Sequence, residues 1–277
     1  MLELLPEEED LVFVLLPEEL LLLFPPKISR RIQASVSARS DLNAARELFR
    51  QASQKFAIAL QLDPQSANAA NDWGVALGEE AIAISAAAPG NLADARILWD
   101  QARQKYALGL QIDPTNGRIA RNWASELSIE ASSLAPSNLP AARELWKQAY
   151  ERLANVIGTD PDDALAFVNL TSAMLQERAA LLKASSQTLS LANTETVDLL
   201  QKAKQMLLAL QGNAAGSGAY NLACVYALEG QTANAMQWLE RSSAAGRLPK
   251  KSHLLKDSDL ENLRNTPAFI AWFAKLP

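Results

Sequence analysis

The sequence predicts an all-α chain, an α-solenoid of antiparallel helix hairpins with elongated helices, and three observations predict it. Three stretches are copies of one another: Leu42 to Glu80, Leu92 to Glu130 and Leu139 to Glu177. They match Ala45-Arg46 to Ala95-Arg96 and Ala142-Arg143, and Leu48-Phe49 to Leu98-Trp99 and Leu145-Trp146. The pairs Asp63-Pro64, Asp113-Pro114 and Asp160-Pro161 then fall in register, 50 and 47 residues apart, which is the mark of a stacked array. Within each copy the apolar residues recur at intervals of three and four, the period of one helix face.

In the first copy that face carries Leu48, Phe49, Ala52, Phe56 and Ala59, and in the second Leu98, Trp99, Ala102, Tyr106 and Gly109. Small residues alternate with large ones, so neighbouring helices can approach closely. Proline cannot continue a helix but can open one, so the next helix is expected to begin directly at each Asp-Pro. It runs on through Trp73-Gly74-Val75-Ala76-Leu77 or Trp123-Ala124-Ser125-Glu126-Leu127. The unit is therefore an antiparallel helix pair.

Here the chain resembles the tetratricopeptide repeat. The family signature, from an aromatic or Leu through small and large apolar places to a closing proline, is occupied by Trp73, Gly74, Leu77, Ala102, Tyr106, Gly109 and Pro114. It is occupied again by Trp123, Ala124, Leu127, Ala149, Leu153, Val156 and Pro161, and a last unit of ordinary length holds Leu222, Ala223, Tyr226, Gly230, Ala235 and Leu239. The resemblance spans roughly Leu42 to Gly246 and implies a right-handed solenoid whose first helices line a concave, protein-binding groove.

One departure from the family fixes the helix lengths. The ordinary period is about 34 residues, and here it is 50. An insertion into an antiparallel pair must lengthen both arms, so each gains about eight residues, or about two turns. Helices of about 20 residues are expected, with turns near Pro89-Gly90-Asn91 and Pro136-Ser137-Asn138.

After a polar connection from Ala184 to Asn193, Thr194 or Thr196 is expected to open the helix through Leu199, Leu200, Ala203, Met206 and Leu207. A shorter pair, Tyr220 to Gly230 and Thr232 to Ser243, ends the repeats. In the tail, Asp257-Ser258-Asp259 and Thr266-Pro267 read as helix starts, and Phe269, Ile270, Trp272 and Phe273 as cover for the last open face. The organisation is thus an N-terminal extension over 1–41, a repeat domain over 42–246 and C-terminal capping helices over 247–277.

The extension is acidic, with Glu3, Glu7, Glu8, Glu9, Asp10, Glu18 and Glu19 around two apolar runs, Leu11 to Leu16 and Leu20 to Phe24. Each run is far shorter than the roughly 20 residues needed to cross a bilayer, and a secretory leader starts with positive charge. Two readings stand: a cap over the first repeat, or a docking segment for a partner or a membrane surface. Ser40-Asp41 offers a cap for the helix at Leu42. With neither a recognisable leader nor a spanning segment, a cytoplasmic protein is expected.

A net charge of −5 argues against a nucleic-acid binder, whose affinity rests on many Lys and Arg contacts. One cysteine, Cys224, allows neither an internal disulfide nor a multi-cysteine metal site, and it reads as a packed thiol. His253, the single histidine, reads as a surface residue. No nucleophile, metal or phosphate-loop constellation stands out, so no enzymatic activity and no cofactor are expected.

Glu80, Glu130 and Glu177 recur at one place in the copies, and Arg96 and Arg143 on the helices that follow. Across the hairpin turns Glu80 stands level with Arg96, and Glu130 with Arg143. These are read as ion pairs inside each hairpin, with Glu177 losing its partner to Val197. The groove-facing candidates are Asn68, Asn71, Asp72, Arg118, Arg121, Asn122, Ser125, Asn169, Ser172, Gln176, Tyr220 and Asn221. The resemblance implies that the recurring Asn contacts bound peptide. A row of amides suits an extended backbone, and Arg118 with Arg121 suits the carboxylate of an acidic or C-terminal peptide. The reading is a non-catalytic adaptor or scaffold that holds a protein or peptide in its groove. Its rival is a peripheral membrane assembly factor recruited through the apolar N-terminal segment. The Trp-Gly-x-Ala-Leu pattern is also similar to plant import receptors of the mitochondrial outer membrane.

Overall fold

Each recurring Asp-Pro folds as a turn with a helix cap built into it. A computed structural model describes residues 42–87, 92–185, 192–213 and 216–276. In it Asp63 Oδ1 accepts the Gln65 N–H at 3.1 Å, and Asp160 Oδ1 accepts the Asp162 N–H at 3.2 Å. One residue further on stands the cap: Ser66 Oγ, Asn116 Oδ1 and Asp163 Oδ1 accept the N–H of Ala69, Ile119 and Ala166 at 3.3, 3.2 and 2.9 Å. The prolines therefore sit in the turn, and the helices open three residues after them. The expected start at the proline is corrected by this capping residue.

The long elements are α1 (Leu42–Leu62), α2 (Ala67–Ala87), α3 (Ala93–Ile112), α4 (Gly117–Leu134), α5 (Leu139–Thr159), α6 (Ala164–Ser185) and α7 (Ala192–Asn213). They run to between 18 and 22 residues, the length expected from the enlarged period. A shorter pair follows, α8 (Ala219–Leu228) and α9 (Thr232–Ala244). The tail holds α10 (Lys251–Leu254), a 3₁₀ turn (Ser258–Leu260), α11 (Glu261–Arg264) and α12 (Pro267–Phe273). No strand occurs among the described residues. α7 begins at Ala192, ahead of either threonine expected to open it, and Thr196 is buried within it. The 1–41 extension and the turn at Pro89-Gly90-Asn91 lie outside the described residues. The turn at Pro136-Ser137-Asn138 is present, with Asn138 Oδ1 accepting the Ala141 N–H at 3.2 Å. α8 ends where Gly230, at φ 72°, lets Gln231 N–H reach back to the Tyr226 carbonyl at 2.8 Å.

Contacts divide the chain into two compact units, one ending at Pro114 and the other beginning at Thr115. In the first, α2 packs on both α1 and α3. Of the stripe the spacing marks out, Phe49, Ala52 and Phe56 of α1 and Trp99, Ala102, Tyr106 and Gly109 of α3 are buried, whereas Leu48, Ala59 and Leu98 are half-buried. Gly74 of α2 lies against the Tyr106 ring so closely that a Cβ there would meet ring carbons at 2.8 Å.

In the second unit each helix from α4 to α9 packs on the next, and the first helix of each pair also touches the first helix of the next: α4 touches α6, and α6 touches α8. One apolar core runs through these helices and into the tail, where Leu254, Leu260, Leu263 and Phe269 pack against it. Thr266 caps α12 as expected, accepting the Phe269 N–H at 3.3 Å. Of the four aromatic and aliphatic residues expected to cover the last face, Ile270 points outward and is 58% exposed.

Candidate functional site

The recurring Asn of the first helices cross-links one hairpin to the next. Asn169 on α6 donates from Nδ2 to Ser125 Oγ on α4 at 3.1 Å, and Asn221 on α8 donates to Ser172 Oγ on α6 at 2.9 Å. The code is local and repeats: Asn122-Trp-Ala-Ser125 and Asn169-Leu-Thr-Ser172 each place the acceptor one turn after the donor. Asn221 also reaches the Val168 carbonyl at 3.4 Å. A further step, Ser132 Oγ to Gln176 Oε1 at 3.1 Å, joins α4 to α6 two turns beyond. In α2 the matching places hold Asp72 and Val75.

Beside this ladder the surface of α6 borders two clefts that share Gln176 and Ala179. The larger, of about 570 Å³, lies at the hairpin tips between Ser132, Pro136, Leu139, Gln176, Ala180 and Lys183. The second, of about 540 Å³, lies between α6, α8 and the tail. Four of the expected groove residues, Ser172, Gln176, Tyr220 and Asn221, line it together. Ser125 and Asn169 stand one hairpin earlier on the same ladder, with Asn122 half-buried on α4. Asn68, Asn71 and Asp72 belong to the first unit; Asn68 is exposed, whereas Asn71 is buried and donates to Asp72 Oδ1 at 3.2 Å.

The arginine pair read as a carboxylate receptor is already engaged on one side. Arg121 Nη1 donates to Asp163 Oδ2, with both side chains largely enclosed. Asp163 caps α6 with its other oxygen, so one carboxylate holds both the helix start and the guanidinium. Arg118, three residues earlier, is half-buried.

Two of the recurring glutamates, Glu80 and Glu177, are paired differently from expectation. Glu80 meets Arg46 on α1 at 3.5 Å, and Glu177 accepts from Arg143 Nε on α5 at 3.0 Å. Each pair is level across the Asp-Pro turn, not across the hairpin turn. Glu177 keeps its partner and gains a second, Tyr150 Oη at 2.6 Å, while Arg143 also reaches Glu195. Burial holds the Tyr150 hydroxyl well above its ordinary range, and the Glu177 charge adds to the effect. Burial likewise raises the Glu80 carboxyl, against the opposing pull of Arg46.

The signature tryptophans are half-buried beneath cations. Lys105 Nζ lies 3.7 Å from the Trp73 ring centre, and the Arg152 guanidinium 3.2 Å from that of Trp123. Trp99 and Trp146, by contrast, are wholly enclosed.

At the tail end of the second cleft, residues that are far apart in the chain converge on one carboxylate. Asp257 Oδ2 accepts the Tyr220 hydroxyl at 2.5 Å and the Cys224 thiol at 3.7 Å, and His253 Nε2 stands 3.5 Å from it. The Tyr220 and His253 rings lie 5.8 Å apart. Asp259 completes the group, its oxygen within 4.8 Å of the Cys224 sulfur and the Asp257 oxygens. Burial and the Asp257 charge push the Asp259 carboxyl up to about 6, with Arg178 pulling the other way. Burial first, then the two aspartates, drives the Cys224 thiol well upward. Cys224 is packed as its place in a helix stripe predicts. His253 is exposed as expected, but it faces Asp257, which sits one helical turn along the chain.

No family model matches the chain, and no curated protein matches it. Among the described residues no helix is long and apolar enough to cross a membrane.

Proposed function

We propose that this chain is a non-catalytic scaffold of the tetratricopeptide type, a right-handed solenoid of elongated hairpins that binds an extended segment of a protein partner along α6. The observation that carries the reading is the second cleft, where Ser172 and Gln176 from one hairpin and Tyr220 and Asn221 from the next line a single space of about 540 Å³. These four side chains are uncharged and rich in donors and acceptors, which suits a peptide backbone, while Lys256, Asp257 and Asp259 line the tail end of the same cleft. A carboxamide offers two N–H donors and a carbonyl, so an Asn that links two helices keeps groups for a ligand. The cation-capped tryptophans and the amide ladder fix the helices in place, which lowers the ordering cost of binding. The acidic chain and the inward use of Arg121 favour recognition through backbone over recognition of a carboxylate.

The test is selection from a random peptide library on the full chain, with affinities of recovered peptides read by fluorescence anisotropy. Gln176 and Ala179 are exposed and border both clefts, so Gln176→Arg/Ala179→Arg fills the space without disturbing the core. Affinity is expected to fall at least tenfold in the double variant. Equal binding by wild type and variant removes this groove as the site.

A further inference from the structure

The chain has one cysteine and one histidine in 277 residues, and folding brings both to the same carboxylate. Cys224 comes from α8, His253 from α10, and Asp257 and Asp259 from the 3₁₀ turn and the residue before it. The Cys224 sulfur is 3.7 Å from Asp257 Oδ2, and His253 Nε2 is 3.5 Å from that oxygen. Tetrahedral zinc, with legs of about 2.3 Å to sulfur and about 2.0–2.1 Å to nitrogen or oxygen, sets neighbouring donors roughly 3.3–3.5 Å apart. The donor atoms of Cys224, Asp257 and Asp259 lie within 4.8 Å of one another, and sulfur with two carboxylates and a nearby imidazole suits Zn²⁺ and is too soft for Ca²⁺ or Mg²⁺.

Two further features fit a cation. The group opens into the second cleft, which gives an ion a way in. Tyr220 donates to Asp257 Oδ2, and Asp257 Oδ1 accepts the Asp259 N–H at 2.9 Å, so the central carboxylate is oriented by hydrogen bonds of the kind that hold metal ligands.

We propose that Cys224, Asp257 and Asp259 form a structural Zn²⁺ site that fastens the tail onto α8, with the exposed His253 imidazole, 3.5 Å from Asp257, turning in as the fourth ligand. On coordination the thiol releases its proton to solvent and binds as thiolate. The ion then neutralises two carboxylates that otherwise face each other in a partly buried place. The crosslink joins α8 to the tail across the whole of α9, so metal binding stabilises the terminal hairpin against unfolding. The site lies at the tail end of the cleft proposed for peptide, but it does not rest on that reading, since its readouts follow the metal and not a peptide.

The experiment uses the full chain, stripped with chelator and titrated with Co²⁺ as a spectroscopic stand-in and with Zn²⁺ for thermal shift. A thiolate-to-cobalt absorption band saturating at one ion per chain is expected, with Zn²⁺ raising the melting temperature by several degrees. Cys224→Ser is expected to abolish the band. His253→Ala, a change at an exposed side chain, is expected to weaken Zn²⁺ at least tenfold while the metal-free protein melts as before. Absence of a thiolate band in wild type overturns the site, as does a Zn²⁺ shift that survives Cys224→Ser or an unchanged affinity in His253→Ala.

Discussion

Gly74→Ala tests how closely the first unit is packed. A Cβ at Gly74 meets three carbons of the Tyr106 ring at 2.8, 2.9 and 2.9 Å, well inside ordinary contact. The ring is only 1% exposed and has little room to retreat. Forcing a methyl group into a filled core costs about 1–3 kcal/mol, and alanine returns about 1 kcal/mol of helix propensity. A net loss of about 0–2 kcal/mol, centred near 1 kcal/mol, is expected, read in urea as a midpoint lower by roughly half a molar. Gly158→Ala supplies the control: it is exposed in α5, nothing lies within 4 Å of its Cβ, and a gain of up to about 0.5–1 kcal/mol is expected. The second unit writes the compensation, because at the same two places it carries Ala124 and Leu153, both buried in its core. Gly74→Ala/Tyr106→Leu should therefore cost less than the sum of its single changes, by about 1 kcal/mol or more. A Gly74→Ala midpoint above wild type would refute the argument.

Three other perturbations probe the polar devices. Asp163→Ala removes the α6 cap and strips Arg121 of its carboxylate, and a loss of about 2–4 kcal/mol in chemical denaturation is expected; a loss under 1 kcal/mol would show that the enclosed pair contributes little. Tyr150→Phe removes a 2.6 Å hydrogen bond to the Glu177 carboxylate and should cost about 1.5–3 kcal/mol; wild-type stability would contradict that role. Burial lifts Glu80 above its ordinary 4.5, so the folded state holds this proton more tightly than the unfolded one and stability falls as pH rises from that value through the folded one. Arg46, Glu47 and Arg50 face it from α1, and uncharged Leu98 and Gln101 from α3; Glu80→Gln should flatten this part of the pH profile, and an unaltered slope would sink the assignment.

Much of the fold is legible because it is carried by local signals. The Asp-Pro interval sets the turns, the stripe from Phe49 to Phe56 sets a buried face, and the excess over the family's period sets the helix lengths. The capping residues Ser66, Asn116 and Asp163 were equally local, three positions after each Asp, yet proline's reputation as a helix opener hid them. The amide ladder was half legible. The Asn column stands out in the repeats, whereas its Ser acceptors become visible only once two first helices are known to touch. Cys224 and His253 were read singly because 29 residues separate them, and no periodicity announces that the tail folds back over α8.

The glutamate pairs show where periodicity stops being informative. α2 packs on α3 across the hairpin turn and on α1 across the Asp-Pro turn, and α6 stands likewise between α7 and α5. Glu80 has Arg96 at one height and Arg46 at the same height on the other side. The repeat makes the two solutions look alike, since every copy carries the same arginine. Two of the glutamates show which is taken: Glu80, 8% exposed, meets Arg46 and Glu177, 6% exposed, meets Arg143, each on the preceding helix. Stripes of alanine and leucine can slide by a turn with little loss. A carboxylate enclosed to that degree cannot, because one turn of slip leaves it buried without its cation. At α2 and α6 the added turns thus carry a buried charge that resists slippage against the preceding helix.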